Sequence, residues 1–202
     1  KLCARILFNG SSGALIFHSL VRSSPRLHRS RRLERIAAEY APSAFASSLA
    51  AEDMVLTDLI LRGKLQDKIG IFTLETGRLH KETLDVLDKV KTHYGIEIAL
   101  FRPQPEAVEQ YVAQNGLNAF YDSVEMRKEC CRVRKVEPLG RALNGKKAWI
   151  TGQRRAQSTT RSELAVQEDD AAHGMAKFNP LADWSEQDVD RKSTRLNSSH
   201  VK

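Results

Sequence analysis

The sequence predicts an α/β fold, with a mainly parallel sheet covered by helices on both of its faces. Three observations lead to this prediction. Short apolar segments alternate along the chain with longer segments in which apolar residues recur at helical spacing. The chain has 202 residues, which is enough for one such domain with a sizeable core. Its hydrophobic content of 41% and aromatic content of 6% are ordinary for a globular protein.

The first half of the domain is predicted to alternate between helices and strands. A short amphipathic helix is expected over 33–41. The segment 43–63 predicts a strand, a loop and a helix, because it begins with small apolar residues and continues with apolar residues at helical spacing. A buried strand follows over 69–74. The next helix covers 82–95 and ends at Gly95, a residue type that is common just after a helix.

The second half continues this alternation, with a strand over 96–103, a helix over 105–116, a mostly helical segment over 126–143 and a strand over 146–152. An interruption of the long helical segment is expected before Pro138, because proline disfavours helical geometry in the residue that precedes it. Parallel α/β sheets bind ligands at the carboxyl ends of their strands. The polar residues that follow each strand are therefore the candidates for a binding site.

The net charge of +7 is concentrated at the two ends of the chain. Residues 1–32 contain seven basic residues and no acid, and residues 190–202 contain four basic residues and one acid. The middle, 33–189, contains 21 basic and 24 acidic residues, a balance of −3. A uniformly basic nucleic-acid-binding face is therefore not expected. No apolar run approaches the roughly 18 residues of a membrane span, so no membrane partner is expected either.

The two flanks are expected to lie outside the folded domain, which we place at 33–189. The segment 1–32 is rich in Arg and Ser and is expected to be disordered, either as a transit peptide or as an extension that does not fold. Ser185 and Asp188 are typical of a capping box that opens a helix. The polar tail 190–202 has no apolar periodicity, so that helix is not expected to continue and the tail is interpreted as foreign to the domain.

Three polar loops that follow predicted strands are candidate anion sites. The first precedes a helix, whose N-terminal N–H groups favour phosphate or sulfate. The third is rich in arginine, whose forked N–H groups pair well with phosphate or sulfate oxygens. Taken singly, each loop is also compatible with a simple helix cap or a solvated turn. The candidate residues are Ser47 and Ser48; Thr76, Gly77 and Arg78; and Arg154, Arg155 and Arg161.

Cys130 and Cys131 stand side by side, directly before the basic residues Arg132, Arg134 and Lys135. Nearby cations favour thiolates, which are metal ligands or nucleophiles. A disulfide between adjacent residues is strained, a zinc site spaces its cysteines more widely, and an iron–sulfur cluster takes about four thiolates. The residues alone therefore leave a metal site and two inert thiols open. With three cysteines in all, the chain is expected in a reducing compartment such as the cytoplasm.

Five segments, in their order along the chain, closely resemble the phosphoadenylyl-sulfate reductase family in its assimilatory adenylyl-sulfate reductase branch. They are SSLAAEDMVLTDLI, IFTLETGRL, ECCRVRKVEPL, AWITGQRRAQSTTR and FNPLADWSEQDV. The resemblance implies an adenine nucleotide α-hydrolase-like (PP-loop) fold. It also implies reduction of adenylyl sulfate to sulfite and AMP, with thioredoxin or a similar thiol donor as partner, and it leaves a homo-oligomer open.

The resemblance also implies a role for each group of candidate residues. The two serines match a modified pyrophosphate-binding loop, in which Ala50 replaces the usual glycine and is expected to tighten or distort the loop. Cys130 and Cys131 match two ligands of a [4Fe–4S] cluster. Lys135 matches the lysine that links the cluster region to the substrate sulfate. The three arginines of the third loop match those around the phosphosulfate, and the second loop is expected to line the same substrate.

The sequence departs from the family at its end. Relatives continue to a C-x-x-C pair and a tail cysteine that attacks the sulfur, and this sequence contains neither. The chain is therefore interpreted as the N-terminal part of such an enzyme, without its catalytic nucleophile. Three alternatives stay open: a cluster-free 3′-phosphoadenylyl-sulfate reductase, a PP-loop ATP pyrophosphatase of the tRNA sulfurtransferase type, and a non-catalytic nucleotide-binding fragment. The cysteine pair counts against the first, and the acidic middle counts against the second.

Overall fold

One six-stranded sheet forms the centre of the computed structural model, which describes residues 25–198 and the side chains of 31–192. The order across the sheet is β3-β2-β1-β4-β6-β5, and within it only the β5–β6 pair is antiparallel. The mainly parallel sheet predicted from the sequence is thus confirmed. The strands are Ser43–Ala46 (β1), Ile69–Leu74 (β2), Ala99–Phe101 (β3), Ala148–Ile150 (β4), Gln167–Asp170 (β5) and Met175–Phe178 (β6).

Seven α-helices lie within the described residues, and none of them is both long enough and apolar enough to cross a membrane. They are Pro25–Glu39 (α1), Ala51–Arg62 (α2), Lys81–Tyr94 (α3), Pro105–Asn115 (α4), Val124–Cys131 (α5), Glu137–Leu143 (α6) and Glu186–Ser198 (α7). A π-helical turn, Arg132–Val136, joins α5 to α6 and supplies the interruption expected before Pro138. The wider turn accommodates a residue that lacks an N–H group and whose ring crowds the preceding turn.

Helices cover both faces of the sheet, as predicted. Successive residues of a strand point to opposite faces, so Ala44 and Phe45 of β1 lie in different cores. The larger core packs Phe45 against side chains of α1, α2, α3 and α7. The smaller one packs Ala44 and Phe72 against Ala142 and Leu143 of α6. Full burial of a large apolar side chain such as Phe45 stabilises the fold by about 1.5–3 kcal/mol.

The strand order creates a crevice beside β1. The chain leaves β1 towards β2 and β3 on one side and returns to β4 on the other side. Connections therefore diverge between the neighbouring strands β1 and β4, and ligands of open α/β sheets bind at such a switch point. The loops after β1 and β4 meet there.

The N-terminal boundary differs from the prediction. Residues 1–24 lie outside the described residues, but 25–32 are helical rather than disordered, because α1 begins at Pro25. Nη1 and Nη2 of Arg32 each donate to an oxygen of Asp183 at 2.8 Å, and Nη1 also donates to the Pro180 carbonyl at 2.7 Å. This contact ties the end of the basic extension to the domain.

The C-terminal end differs more. Ser185 and Asp188 form the predicted capping box, since the backbone N–H of each donates to the side chain of the other at 3.2 Å. Helix α7 then continues through Ser198, which corrects the expectation that no helix follows. Lys192 donates to the buried carboxylate of Asp58 at 2.7 Å, so the first residues of the supposed foreign tail pack on α2. A buried partner charge, rather than apolar periodicity, anchors this part of the helix.

Strands β5 and β6 were not predicted. The sequence of β5 is QEDD, which has neither apolar alternation nor β-branched residues. It forms because it lies at the sheet edge, where one side of the strand needs no partner, and pairs with β6 over four residues. Tertiary pairing therefore overrides the local preference of the segment.

Candidate functional site

The loop after β1 wraps around one carboxylate. Ser47 is buried, and its hydroxyl accepts from the N–H of Leu49 at 3.2 Å. Ser48 is exposed, and its N–H and hydroxyl donate to the same oxygen of Asp53 at 2.6 and 2.5 Å. The two predicted serines thus follow the strand as expected, but Ser48 is engaged by Asp53, a residue that was not singled out from the sequence.

The special backbone position of this loop is Leu49 and not Ala50. Ala50 has extended geometry, with φ −74° and ψ 171°, and it caps α2. An alanine is unstrained there, which corrects the expectation that Ala50 distorts the loop. Leu49 has φ 65°, a left-handed conformation that side chains other than glycine seldom adopt. Burial of the Leu49 side chain, which is 6% exposed, helps to hold it in this conformation.

Asp53 joins the loop after β1 to the loop after β4. Its carboxylate accepts from the backbone N–H of Gly152, and Asp53 is only 6% exposed. A Cβ atom on Gly152 would lie 2.0 Å from Asp53 Oδ1 and 3.3 Å from the Cβ of Glu52. Burial raises the pKa of Asp53 and the neighbouring Glu52 charge adds to the rise, while hydrogen bonds from Ser48 oppose it. Glycine is needed at 152 so that the two loops can approach this closely.

We expect Gly152→Ala to lower the free energy of unfolding by about 1–3 kcal/mol, the usual cost of forcing an extra carbon into a packed site. Asp53 must move, since the added carbon would overlap its carboxylate. Urea denaturation measures the loss. Gly140→Ala is the matched control, because a Cβ atom there meets nothing within 4 Å. A Gly152→Ala variant whose free energy of unfolding equals that of the parent chain would contradict the close approach of the two loops.

The arginine loop after β4 uses its first arginine internally. Arg154 donates to Glu52 Oε1 from Nε at 3.0 Å and from Nη2 at 2.7 Å, and both side chains are mostly buried. Gln157 donates to the same oxygen at 2.9 Å. Burial alone would raise the pKa of Glu52, but the bonds from Arg154 and Gln157 outweigh it and lower that pKa. Arg154 therefore positions the loop and is not a free anion ligand in this state.

Two other arginines of the loop keep most of their donors. Arg155 is exposed and donates from Nε to the Leu164 carbonyl at 2.8 Å. Arg161 is half-buried and donates from Nη1 to Gln157 Oε1 at 2.5 Å. Neither forms an ion pair within the described part of the chain. Since a guanidinium carries five N–H groups, each retains donors for an anion.

The loop after β2 is fixed from two sides. Gly77 has φ 72°, and its N–H donates to Glu75 Oε1 at 2.7 Å. Arg134, which is 7% exposed, donates to the Thr76 carbonyl at 2.8 Å. Arg78 is directed to another segment, donating to the Leu117 carbonyl at 2.6 Å and stacking its guanidinium over the ring of Phe120 at 4.8 Å. Thr76 and Gly77 are thus fixed just after β2, while Arg78 contacts the segment 117–120.

The cysteine pair ends helix α5. Cys130 and Cys131 are both free and half-buried. Successive helical residues lie about 100° apart around the axis, so their thiols do not face each other. The hydroxyl of Tyr111 lies beside Cys130 and donates to the Met126 carbonyl at 3.1 Å, and burial together with the Cys130 charge raises the pKa of Tyr111. Lys135 is exposed, one turn further along the π-helical segment.

The structure thus groups the predicted residues into two clusters. Ser48 meets the arginine loop through Asp53, and Thr76 contacts the π-helical turn after the cysteines through Arg134. Direct contact between the arginine loop and Cys130 is not seen among the described contacts. Glu52, Asp53 and the buried Arg134 were not predicted as residues of the site. Acids are common in the first turn of a helix, where they interact favourably with its dipole, so their presence in the sequence does not by itself indicate a site.

A [4Fe–4S] cluster does not fit the described residues by themselves. Such a cluster takes about four thiolates, and the described cysteines are two. No group of three or more His, Cys, Asp or Glu side chains that could hold a metal ion occurs among the side chains described, 31–192. The ligand roles predicted for Cys130 and Cys131 therefore stay a prediction.

The chain matches a known protein family over most of its length. Residues 42–198 match the phosphoadenosine phosphosulfate reductase domain, a range that extends nine residues past the boundary placed at 189. The chain is 63% identical over 145 residues to an adenosine 5′-phosphosulfate reductase of Burkholderia cepacia, covering 72% of this chain and 57% of that protein. It is 56% identical over 160 residues to the enzyme of that name from Neisseria meningitidis serogroup B, covering 79% and 64%. The chain thus spans about three fifths of these relatives.

Solved structures support the fold. A phosphoadenylyl-sulfate reductase from Candida auris, in complex with phosphate, superposes with a TM-score of 0.70 at 22% identity, over 93% of this chain and 90% of that one. An NH3-dependent NAD synthetase from Campylobacter jejuni superposes with a TM-score of 0.57 at 11% identity, over 85% and 71%. The likeness confirms the predicted PP-loop type of fold.

Proposed function

The chain belongs to the phosphoadenosine phosphosulfate reductase family, and we propose that it binds adenylyl sulfate and serves in its reduction to sulfite and AMP. The observation that carries this proposal is the high identity to relatives named adenosine 5′-phosphosulfate reductase, which reaches 63%. The paired cysteines support the same substrate, since by resemblance they belong to the branch that uses it. The other end of the substrate, away from the phosphosulfate, is an adenosine, and we propose that it binds in the switch-point crevice.

The proposed site uses the two loops of the switch point. The N-terminal turn of α2 offers backbone N–H groups and a favourable dipole to the phosphosulfate. Arg155 and Arg161 supply unpaired guanidinium donors, and Lys135 adds a cation from the cysteine side. The loop that carries the buried Ser47 and the exposed Ser48 forms one side of the proposed site. Asp53 and Glu52 contact the loops and not the substrate, and they hold the two loops at a fixed separation.

Reduction of the sulfate group to sulfite takes two electrons. We propose that a dithiol donor such as thioredoxin supplies them, becoming a disulfide, while AMP leaves with the electrons of the broken sulfur–oxygen bond. The described residues supply binding and orientation, and the reacting thiolate is not among the groups placed here. This chemistry suits a reducing compartment such as the cytoplasm.

The binding proposal is tested by charge removal. We expect Arg161→Ala and Lys135→Ala each to weaken adenylyl-sulfate binding by about 1–3 kcal/mol, the value of a lost charge-assisted hydrogen bond. Isothermal titration calorimetry on the 202-residue chain measures it. Lys89→Ala is the control, because Lys89 is an exposed cation on α3, outside these loops. If both variants bind like the parent chain, the arginine loop and Lys135 are not the anion site.

The cofactor prediction concerns the cysteine pair. We expect the 202-residue chain, reconstituted anaerobically with iron and sulfide, to hold less than one stable [4Fe–4S] cluster per chain, because the described residues provide two of about four thiolates. Iron and labile-sulfide analysis gives the stoichiometry. A full, reducible cluster that survives gel filtration would overturn this expectation. Loss of that cluster in Cys3→Ser would then identify Cys3 as a ligand.

A further inference from the structure

Asn179 connects the two ends of the arginine loop. It follows β6 directly and is completely buried. Its Oδ1 accepts from the hydroxyl of Thr151 at 2.6 Å, and its Nδ2 donates to the carbonyl of Ala165 at 2.9 Å. Its backbone N–H donates to the carbonyl of Val166 at 2.8 Å. Thr151 comes just after β4 and Val166 just before β5, so a single residue contacts both ends of the loop 152–164.

The residues after Asn179 support the same loop. The Ala182 carbonyl accepts from the N–H of Arg155 at 3.0 Å, and the Trp184 carbonyl lies 3.5 Å from Nη1 of Arg154. The loop itself contains only two short 3₁₀ turns, Arg155–Gln157 and Thr159–Arg161. A loop with so little internal structure takes its shape from the contacts at its ends.

The chemistry of an amide suits this position. One planar group carries both an acceptor and donors, so the two contacts of Asn179 fix the distance between the loop ends. Because the group is buried, a half-satisfied version of the network would be costly, and the loop has little freedom to adopt another closure.

We propose that Asn179 is a positioning residue of the arginine loop, which sets the spacing of the loop ends and thereby the placement of Arg155 and Arg161. The identity of the anion rests on the proposed function above. The effect of Asn179 on the loop does not depend on it. The consequence for binding is selective: the charged end of the substrate is affected, and the adenosine end is not.

Two substitutions of Thr151 form a matched test. Thr151→Val keeps the shape of the side chain and removes the hydroxyl that donates to Asn179 at 2.6 Å and accepts weakly from the N–H of Gln153 at 3.4 Å, while Thr151→Ser keeps the hydroxyl. Asn179→Ala removes both side-chain contacts. Hydrogen exchange of residues 155–162 and trypsin cleavage after Arg155 and Arg161, located by mass spectrometry, report on the loop without any ligand. Binding of adenylyl sulfate is compared with binding of adenosine, which lacks the phosphosulfate.

We expect loop exchange and cleavage in Thr151→Val and Asn179→Ala to rise about tenfold, the factor that one lost hydrogen bond of about 1.4 kcal/mol gives. Adenylyl-sulfate affinity should fall by a similar factor, adenosine affinity should change less than about twofold, and Thr151→Ser should behave like the parent chain. Unchanged loop exchange in a folded Thr151→Val chain overturns the proposal. So does an equal loss of both ligands, which would indicate a general structural role.

The outcomes separate this proposal from the function proposed above. If the parent chain fails to bind adenylyl sulfate, the proposed function is wrong, and exchange and cleavage of the loop still decide the role of Asn179. If Asn179→Ala does not fold, Thr151→Val alone decides it. Asn144→Ala is the control, since Asn144 is exposed at the end of α6.

Discussion

Replacing Glu52 with Ala is expected to lower the free energy of unfolding by about 3–5 kcal/mol, the cost of removing one partner of a buried ion pair. The side chains of Arg154 and Glu52 are only 8% and 15% exposed, and they approach to 2.7 Å. Without the carboxylate, the guanidinium of Arg154 would be left with the Trp184 carbonyl, 3.5 Å away, as its described acceptor. Urea denaturation measures the loss.

Two further variants distinguish the cost of leaving a buried charge unpaired from the cost of losing packing contacts. Glu39→Ala breaks the ion pair between Glu39 and Arg35, whose side chains are 52% and 62% exposed. This substitution should lower the free energy of unfolding by less than about 1 kcal/mol. The double substitution Glu52→Leu with Arg154→Met removes both charges and is expected to recover most of the stability lost in Glu52→Ala. A double variant as unstable as the single one would show that packing, and not an unpaired charge, causes the loss.

Asp58→Ala is the second substitution that is expected to cause a large loss of stability. The fully buried side chain of Asp58 accepts from Arg62 at 2.6 Å, Lys192 at 2.7 Å and the hydroxyl of Tyr94 at 2.9 Å, and so joins α2, α3 and α7. We expect Asp58→Ala to lower the free energy of unfolding by about 3 kcal/mol, the low end for a broken buried pair, since Arg62 and Lys192 reach solvent. Thermal unfolding followed by circular dichroism gives the change.

The same residue predicts a pH dependence. Burial alone would raise the pKa of Asp58, but the bonds from Lys192 and Arg62 outweigh it and hold the pKa below its usual 3.8. A lowered pKa means that the folded state favours the charged form, so this stabilisation is complete above pH 3.8 and is lost as the pH falls through the lowered pKa. The stability difference between the parent chain and Asp58→Asn should therefore shrink on acidification below that pH. A difference that is constant from pH 7 down to pH 2 would contradict the assignment.

Much of the fold could be predicted because its central elements have strong local signals. The run IGIFTL and the helix that Gly95 ends are examples, since burial and backbone geometry both act within a few residues there. Strand β5 could not be predicted, because its pairing depends on a neighbour and not on its own residues. The continuation of helix α7 could not be predicted for a similar reason, because Asp58, which accepts from Lys192, is 134 residues away.

The site was predicted as a set of loops but not as a set of contacts. Sequence order and strand ends located the serines and the arginine loop, because parallel strands bring their carboxyl ends together. The sequence could not show that Arg154 is neutralised by Glu52 or that Gly152 lies against Asp53, since both contacts cross about 100 residues. The unusual backbone conformation of this loop was predicted at Ala50, because an alanine there replaces the glycine of relatives. The structure has it at Leu49, where only the dihedral angle reveals it.

The composition of β5 has a consequence for behaviour in concentrated solution. An outer strand offers open backbone groups, to which a second molecule can add a strand of its own. Here three of the four residues of that strand, QEDD, are acids. A second copy docking through the same edge would bring its own carboxylates against them, so repulsion opposes fibre-like growth from this side. Light scattering should accordingly show association through this edge only when salt screens the carboxylates or acid protonates them.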